Sequence, residues 1–239
     1  MTNNYIPGNY QYLALTKGNA IQRQWHKNRH NLMNHLDFLR NADNVLDVGC
    51  GSGNIVVDFA PKVMQITGVD NSSESILFLQ KMLKEKNIKN ASAIEMDILK
   101  LNLKNKNFTK VVMTETIEHF SEKNIRIILK NIKKIMNKDG KIFITTPNYK
   151  SPWMIIEKLI DFLQLSPRLW GEQHLIKFTQ ERLTKILQDE GFTVKKKGTL
   201  NSVSPFIALL STKLADKLSY FEFKHFSFGN LLYVVATLQ

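Results

Sequence analysis

The sequence predicts an α/β protein in which a mainly parallel, doubly wound β-sheet carries helices on both faces. From Asn44 onward, short β-rich segments alternate with segments of helical periodicity, which is the pattern of successive βαβ units. A glycine-rich turn follows the first strand, and aspartates stand at the ends of the next two strands. These observations place a ligand site at the carboxyl edge of the sheet.

The predicted elements follow from periodicity and from helix stop signals such as Asn137 and Gly140. The predicted strands are 44–48, 64–69, 91–96, 110–114, 141–145, 192–195 and 231–236. The predicted helices are 21–39, 52–60, 73–86, 125–136, 152–165 and 179–189. Because helix 21–39 precedes the alternating region, we expect it to pack over the carboxyl edge as a cap.

Length and composition are those of one globular domain. The chain has 239 residues, of which 43% are apolar and 23% are charged. Lys and Arg total 33 against 21 Asp and Glu, a net charge of +12, which fits either an anionic partner or a Lys-rich solvated surface. The only basic run is 195–197, without interleaved aromatic residues, so no nucleic-acid partner is expected.

Several features bear on the compartment. Cys50 is the single cysteine, and the N-terminal segment lacks the pattern of a signal peptide, so we expect a reducing, cytoplasmic setting. No apolar run approaches the roughly 18 residues of a membrane span. Segments 153–165 and 206–223, with Lys213, Lys217 and Lys224, could rest on an anionic membrane surface, although core packing explains the same apolar residues.

The glycine-rich turn carries the strongest signal. In the segment 44–54, NVLDVGCGSGN, Gly49 and Gly51 permit a tight turn that a ligand can approach, and Gly53 permits close packing of helix on strand. The spacing matches neither G-x-G-x-x-G nor the P-loop. A plain turn without a ligand is the alternative.

Two aspartates extend the site. Asp70 ends the second strand, 21 positions after Gly49, where it can accept hydrogen bonds from both hydroxyls of an adenosine ribose. Asp97 ends the third strand and can accept from an adenine amino group, while Met96 or Ile98 packs on the ring. A surface turn is the alternative for Asp97.

The motifs VLDVGCGSGN, GVD and MD, in this order on consecutive strand ends, resemble the class I S-adenosylmethionine-dependent methyltransferases. The resemblance implies a Rossmann-like, seven-stranded sheet whose last strand is antiparallel, and S-adenosylmethionine as cofactor. It implies that Asp47 and the glycine turn hold the methionine part. The cofactor-binding residues predicted on this basis are Arg29, Asp47, Gly49, Cys50, Gly51, Gly53, Asn54, Asp70, Asn71, Met96, Asp97, Ile98, Thr114 and Glu115.

We therefore expect a single methyltransferase domain, 1–239, in four parts. These are an N-terminal helical cap (1–41), a cofactor-binding half (42–148), an acceptor-cover insertion (149–180) and the C-terminal part of the sheet (181–239).

The fourth strand runs into an E-x-x-E-H segment formed by Glu115, Glu118 and His119. These side chains could act as a general base or as ligands of a hard divalent cation, or Glu118 and His119 could cap the next helix and brace the loop. The segment resembles that of the ubiquinone-biosynthesis O-methyltransferases, which implies Mg²⁺ beside a catechol-like acceptor. Arg29, 20 positions before Gly49, matches an arginine that contacts the cofactor carboxylate in those enzymes.

The insertion supplies further acceptor-side residues. His174 opens an H-x-x-x-[FY]-[ST] segment that is common in the family, and it competes with His119 as the base. The predicted catalytic residues are His119, His174 and Glu118. The residues predicted to build the acceptor cover are Trp153, Trp170, Glu172, His174 and Phe178.

The sequence thus favours methyl transfer to a small-molecule or lipid-like acceptor, at oxygen ahead of nitrogen or carbon. Two other hypotheses remain open at this stage. One is methylation of RNA or protein, although no N-P-P-[YF] motif follows the fourth strand. The other is a noncatalytic cofactor-binding protein. The sequence predicts no particular oligomeric state.

Overall fold

The computed structural model describes residues 7–103, 107–152 and 174–239. A single sheet organises them, with its strands in the order β3-β2-β1-β4-β5-β7-β6. The strands are β1 (Asn44–Val48), β2 (Gln65–Asp70), β3 (Ala91–Glu95), β4 (Phe108–Thr114), β5 (Met136–Pro147), β6 (Phe192–Leu200) and β7 (Leu231–Leu238).

The sheet is parallel except at its last strand. Strands β1 to β5 pair in parallel with their neighbours, whereas β7 lies between β5 and β6 and is antiparallel to both. The seven-stranded Rossmann-like sheet with an antiparallel last strand is therefore confirmed. All the parallel strands end at one edge, which is where such sheets bind ligands.

Helices cover both faces of the sheet, because successive side chains of a strand point to opposite sides. Leu46 of β1 belongs to one buried cluster and Val45 to the other. The helices are α1 (Tyr10–Thr16), α2 (Ala20–His35), α3 (Asn54–Phe59), α4 (Ser73–Glu85), α5 (Glu122–Ile135), α6 (Gln180–Asp189), α7 (Ser204–Ile207) and α8 (Thr212–His225). α5 and α6 pack into the first cluster, and α3 and α4 into the second. Within the described residues, no helix is long and apolar enough to cross a membrane.

The two N-terminal helices lie over the glycine turn and the C-terminal helices. The backbone N–H of Tyr12 donates to Ser52 Oγ at 2.8 Å, and Asn54 Nδ2 donates to the Gln11 carbonyl at 2.9 Å. α2 begins with a capping box in which the Asn19 and Gln22 side chains each accept from the other's backbone N–H. The first two bonds join α1 to the glycine turn and the start of α3, whereas the capping box stabilises the start of α2.

Several predicted boundaries are wrong. β5 begins at Met136, directly after α5, because this residue pairs with Phe108 of β4, and so the stretch predicted as a helix end and turn is strand. β6 extends beyond the predicted strand 192–195, through the lysine run, to Leu200. It is an edge strand, on which solvent-exposed lysines are tolerated. α2 ends before the predicted Leu39, since Asp37 has a φ of +46° that no helix continues.

Three helices were not predicted, namely α1, α7 and α8. Of the predicted helix 152–165, only Pro152 falls within the described residues.

Candidate functional site

The glycine turn has the backbone conformation that its sequence requires. Gly49, Gly51 and Gly53 have φ values of +74°, +48° and +79°, in the left-handed region that glycine adopts without strain. A Cβ at Gly53 would lie 2.3 Å from the Leu79 side chain, so α4 packs directly on this glycine. The turn thus combines a left-handed glycine backbone with a close helix contact.

Asp70 fixes the shape of this turn. Its Oδ2 accepts from the Gly51 N–H at 2.8 Å, and its Oδ1 accepts from the Ser72 N–H at 2.9 Å. The carboxylate therefore joins the glycine turn to the start of α4, while remaining partly exposed at the end of β2. Each carboxylate oxygen keeps a further lone pair for a ligand.

Asp47 lies beside the turn with no partner. Its side chain is 1% exposed, and among the described residues neither carboxylate oxygen has a hydrogen-bond partner. Burial, followed by the charge of Asp70, raises the pKa of Asp47 to about 7 against the opposing charge of Arg29. A buried, unsatisfied carboxylate is costly, and a cationic or hydrogen-bond-donating ligand would satisfy it.

A cavity at the sheet edge joins these groups. It is lined by Gln11, Arg29, His30, Asp47, Gly49, Cys50, Asn54, Ile55 and Thr114. The unsatisfied carboxylate of Asp47 fits the ammonium group in the amino-acid part of S-adenosylmethionine.

Arg29 reaches this cavity from α2. Its guanidinium pairs with the Glu115 carboxylate and contacts His26 Nδ1, while its buried Nε has no partner among the described residues. Burial, followed by the charges of Arg29 and His30, lowers the pKa of His26 well below its usual value. Glu115 has a φ of +49° just beyond β4, so the backbone there is held in an unusual conformation.

Of the residues predicted to contact the adenine side of the cofactor, Asp97 and Asn71 are more exposed than Asp47 and the glycine turn. Asp97 is exposed, and its Oδ1 accepts from the Leu99 N–H at 2.9 Å, at the start of a short 3₁₀ turn. Asn71 is exposed and Ile98 is buried. The Met96 N–H donates to the Asp70 carbonyl at 2.8 Å, which brings the ends of β2 and β3 together.

The acceptor side is built around Glu118. This side chain is 1% exposed, and its Oε2 accepts from Thr146 Oγ1 of β5 at 3.0 Å. Burial, together with the charge of Glu115, raises the pKa of Glu118 to about 8. The Glu118 carbonyl accepts from the N–H groups of Leu175 and Ile176 at 2.8 and 3.3 Å, which ties the β4 loop to the segment that contains His174.

Two histidines complete this side. Potential ligand atoms of Glu118, His119 and His174 lie within 4.8 Å of one another, and the two imidazole centroids are 5.2 Å apart. Tyr149 Oη lies 2.8 Å from His174 Nδ1. Burial lowers the pKa of His174, and the charge of His119 lowers it further, so this imidazole favours its neutral form.

The structure changes the grouping predicted for the E-x-x-E-H segment. Glu118 and His119 group with His174 rather than with Glu115, whose carboxylate is engaged by Arg29. The alternative in which Glu118 or His119 caps the next helix is wrong, because Ser121 caps α5 through a bond from Asn124 N. Loop bracing by Glu118 does occur.

Other predicted residues contribute differently. Phe178 is fully buried in the core cluster shared with α5 and α6, so it does not face an acceptor. The remaining predicted cover residues, Trp153, Trp170 and Glu172, lie outside the described residues. The sequence analysis assigned no role to Thr146, which lies in β5, or to Tyr149, which follows that strand.

A family model described as "Methyltransferase domain" matches residues 39–191, well over half of the chain. The match begins just before β1 and includes the glycine turn, the E-x-x-E-H segment and α6.

Curated relatives methylate both nitrogen and oxygen. The chain is 28% identical over 115 residues to (S)-tetrahydroprotoberberine N-methyltransferase of Eschscholzia californica, covering 47% of this chain and 32% of that protein. It is 30% identical over 104 residues to the ubiquinone biosynthesis O-methyltransferase of Rickettsia akari, covering 44% of this chain and 40% of that protein. The chain thus matches only a third to two fifths of the length of these relatives.

Solved structures share the fold over a greater length. The magnesium protoporphyrin IX methyltransferase of Synechocystis PCC 6803, solved with bound S-adenosylhomocysteine, aligns with a TM-score of 0.64 at 14% identity. The alignment covers 94% of this chain and 88% of that one. The likeness extends to nearly the whole sheet and its helices.

Proposed function

The chain belongs to the methyltransferase domain family, and on that premise we propose that it uses S-adenosylmethionine to methylate a small-molecule or lipid-like acceptor at oxygen. The single observation that supports this most is the buried carboxylate of Asp47 beside the glycine turn, which lacks a partner within the described part of the chain. Because an unsatisfied buried carboxylate is costly, its presence favours a ligand that donates to it.

The proposed cofactor contacts use groups already oriented by the fold. Asp47 and the glycine turn would hold the methionine part, Arg29 its carboxylate, and Asp70 the ribose hydroxyls. When bound, the cofactor supplies a methyl group on a positively charged sulfonium. The nearby carboxylates favour that charge, since opposite charges attract strongly in a partly buried site.

His174 is the proposed base for the acceptor hydroxyl. Its lowered pKa keeps the imidazole neutral and able to take a proton, and Tyr149 fixes the ring through Nδ1. Glu118, with a pKa raised to about 8, is protonated at neutral pH and is therefore better suited to positioning the loop than to accepting a proton. His119 lies beside His174, with the two ring centroids 5.2 Å apart.

This pair of imidazoles favours an oxygen acceptor. A hydroxyl must lose a proton as it is methylated, and the two imidazoles provide a place for that proton. A neutral amine attacks without prior deprotonation and needs such a base less. Nitrogen remains the second acceptor atom, because an N-methyltransferase is among the relatives.

Magnesium does not fit the residues that come together. Mg²⁺ prefers oxygen ligands, whereas this group contains one carboxylate and two imidazoles, and Arg29 engages Glu115. We therefore assign no step to Mg²⁺, and positioning and exclusion of water carry the catalysis.

The experiment is an acceptor screen with S-adenosylmethionine that pairs each phenol or catechol with the corresponding aniline. Formation of S-adenosylhomocysteine and the product mass report turnover. The proposal predicts turnover of hydroxyl acceptors, unchanged by a chelator. Turnover of the amines alone would contradict the oxygen assignment, and tight cofactor binding without any turnover would instead indicate a noncatalytic binding protein.

A further inference from the structure

The outer side of α8 carries a continuous stripe of exposed basic and apolar side chains. They recur at the three- and four-residue spacing that places helix residues on one face. The members of this stripe are Lys213, Leu214, Lys217, Tyr220, Phe221 and Lys224. Ala215 and Phe223 occupy the opposite side and are buried. A solvated helix face does not need such a stripe of large apolar residues.

Both acidic residues of α8 are turned away from this stripe. Asp216 accepts from Lys27 Nζ at 2.6 Å and from Gln24 Nε2 at 3.0 Å, both on α2. Glu222 is fully buried and accepts from the N–H groups of Val203 and Ser204 at 2.7 and 2.6 Å. The exposed face of α8 therefore presents positive charge without a neighbouring carboxylate from the same helix.

The segment before α8 extends the apolar surface. Leu209 is 64% exposed and Leu210 is 83% exposed, the largest exposure among the large apolar side chains of the described residues. Basic charge extends sideways as well, since Lys224 and Lys196 of the edge strand β6 both lower the pKa of His35. Leucines that project beside lysines match the interface of a bilayer, where apolar chains enter and ammonium groups stay at the headgroups.

We propose that this surface, the α8 face (Leu209, Leu210 and the stripe from Lys213 to Lys224), rests on an anionic lipid bilayer. The lysines attract the headgroups, and the exposed leucines and Phe221 enter the interfacial layer. Nucleic acid fits less well, because the exposed leucines form no hydrogen bonds to phosphate or sugar and the described α8 contains no arginine. The inference does not rest on the proposed methyl transfer, since it needs neither cofactor nor acceptor.

The test is cosedimentation of the full chain with vesicles of phosphatidylcholine, with and without an equal share of phosphatidylglycerol. We expect binding to the anionic vesicles that weakens with salt. The K213Q/K217Q/K224Q variant should lose on the order of 100-fold in partitioning, at roughly fivefold for each lysine. The matched control is K84Q/K86Q/K89Q, which removes the same charge from exposed positions on and after α4 and should bind like the wild type.

A second variant tests insertion. L209S/L210S/L214S, with its fold checked by circular dichroism, should bind anionic vesicles at least tenfold more weakly at unchanged net charge. Three outcomes would overturn the proposal. The two lysine variants could lose vesicle binding equally, the leucine variant could bind like the wild type, or the wild type could fail to bind at low salt. A wild-type dimer in light scattering that the leucine variant abolishes would also overturn it, because the face would then belong to a second copy.

Discussion

Asp47 and Asp70 lie on neighbouring strands near one edge of the sheet, yet their surroundings differ completely. Asp70 accepts from two backbone N–H groups and is partly exposed. Asp47 is buried and has no partner among the described residues. The comparison teaches that one carboxylate holds the glycine turn through backbone bonds, whereas the other is the group that the proposed function assigns to a bound ligand.

The largest expected effect is that of Asp70→Ala. It removes two charge-assisted hydrogen bonds from the turn, each of about 1.5–3 kcal/mol, so affinity for S-adenosylhomocysteine should fall on the order of 100-fold or more. Calorimetry measures the change. Asp97→Ala is the matched control, since this exposed strand-end aspartate accepts a single backbone bond, and it should lose less than about tenfold. Equal losses would refute the special place given to Asp70.

His174→Gln comes next and separates catalysis from cofactor binding. A lost general base lowers kcat on the order of 100-fold, while affinity for S-adenosylhomocysteine stays near that of the wild type. The acid limb of the kcat profile should lie below the usual pKa of histidine, because burial lowers the pKa of His174, and the variant should lack that limb. Full kcat in this variant would contradict the assignment of His174 as the base and would favour His119 instead.

Tyr149→Phe sharpens that result. It removes the hydroxyl at His174 Nδ1 and leaves the ring, so kcat should fall about tenfold and the acid limb should move. An unchanged pH profile would show that Tyr149 does not position the imidazole.

The positions of Asp70 and the glycines could be predicted because a strand, a turn and the next strand end lie close in sequence, whereas Asp47 was implied by the family resemblance. The pairing of Arg29 with Glu115 could not, since it joins residues far apart that no periodicity connects. His174 meets His119 only because the Glu118 carbonyl binds the backbone of the later segment. Nothing in the local pattern indicates such a bond.

The missed elements have equally physical reasons. In α8, apolar residues lie on both sides of the helix, outward at Leu214 and Phe221 and inward at Phe223, which blurs the periodic signal. In β6 the lysine run lacks the usual strand composition, and edge exposure makes it acceptable. The start of β5 was missed because Asn137 and Gly140 are typical of a turn, whereas pairing with β4 makes this stretch a strand.

Asp47→Asn is expected to weaken ligand binding less than Asp70→Ala does, and to stabilise the free protein. It replaces a buried charge with a neutral group of the same shape, so the free protein should melt at a higher temperature. Affinity for S-adenosylhomocysteine should fall about tenfold, because a charge-assisted bond is lost. Thermal melts with and without ligand measure both. Lower stability of the free variant would mean that the carboxylate already has a partner.

A further expected effect is on the pH dependence of stability. The folded-state pKa values of Asp47 and Glu118 are raised to about 7 and about 8, so the folded chain holds protons that the unfolded chain releases. The free energy of unfolding should therefore fall as pH rises from about 4 to about 8. D47N/E118Q should flatten this slope, and an unchanged slope would contradict the assignment.

The most direct test of the central claim is calorimetric titration of the wild-type chain with S-adenosylhomocysteine and S-adenosylmethionine. The account predicts micromolar dissociation constants for both, without dependence on magnesium. Absence of binding by either ligand, in a chain shown to be folded, would contradict it and would mean that Asp47 and the glycine turn serve another ligand.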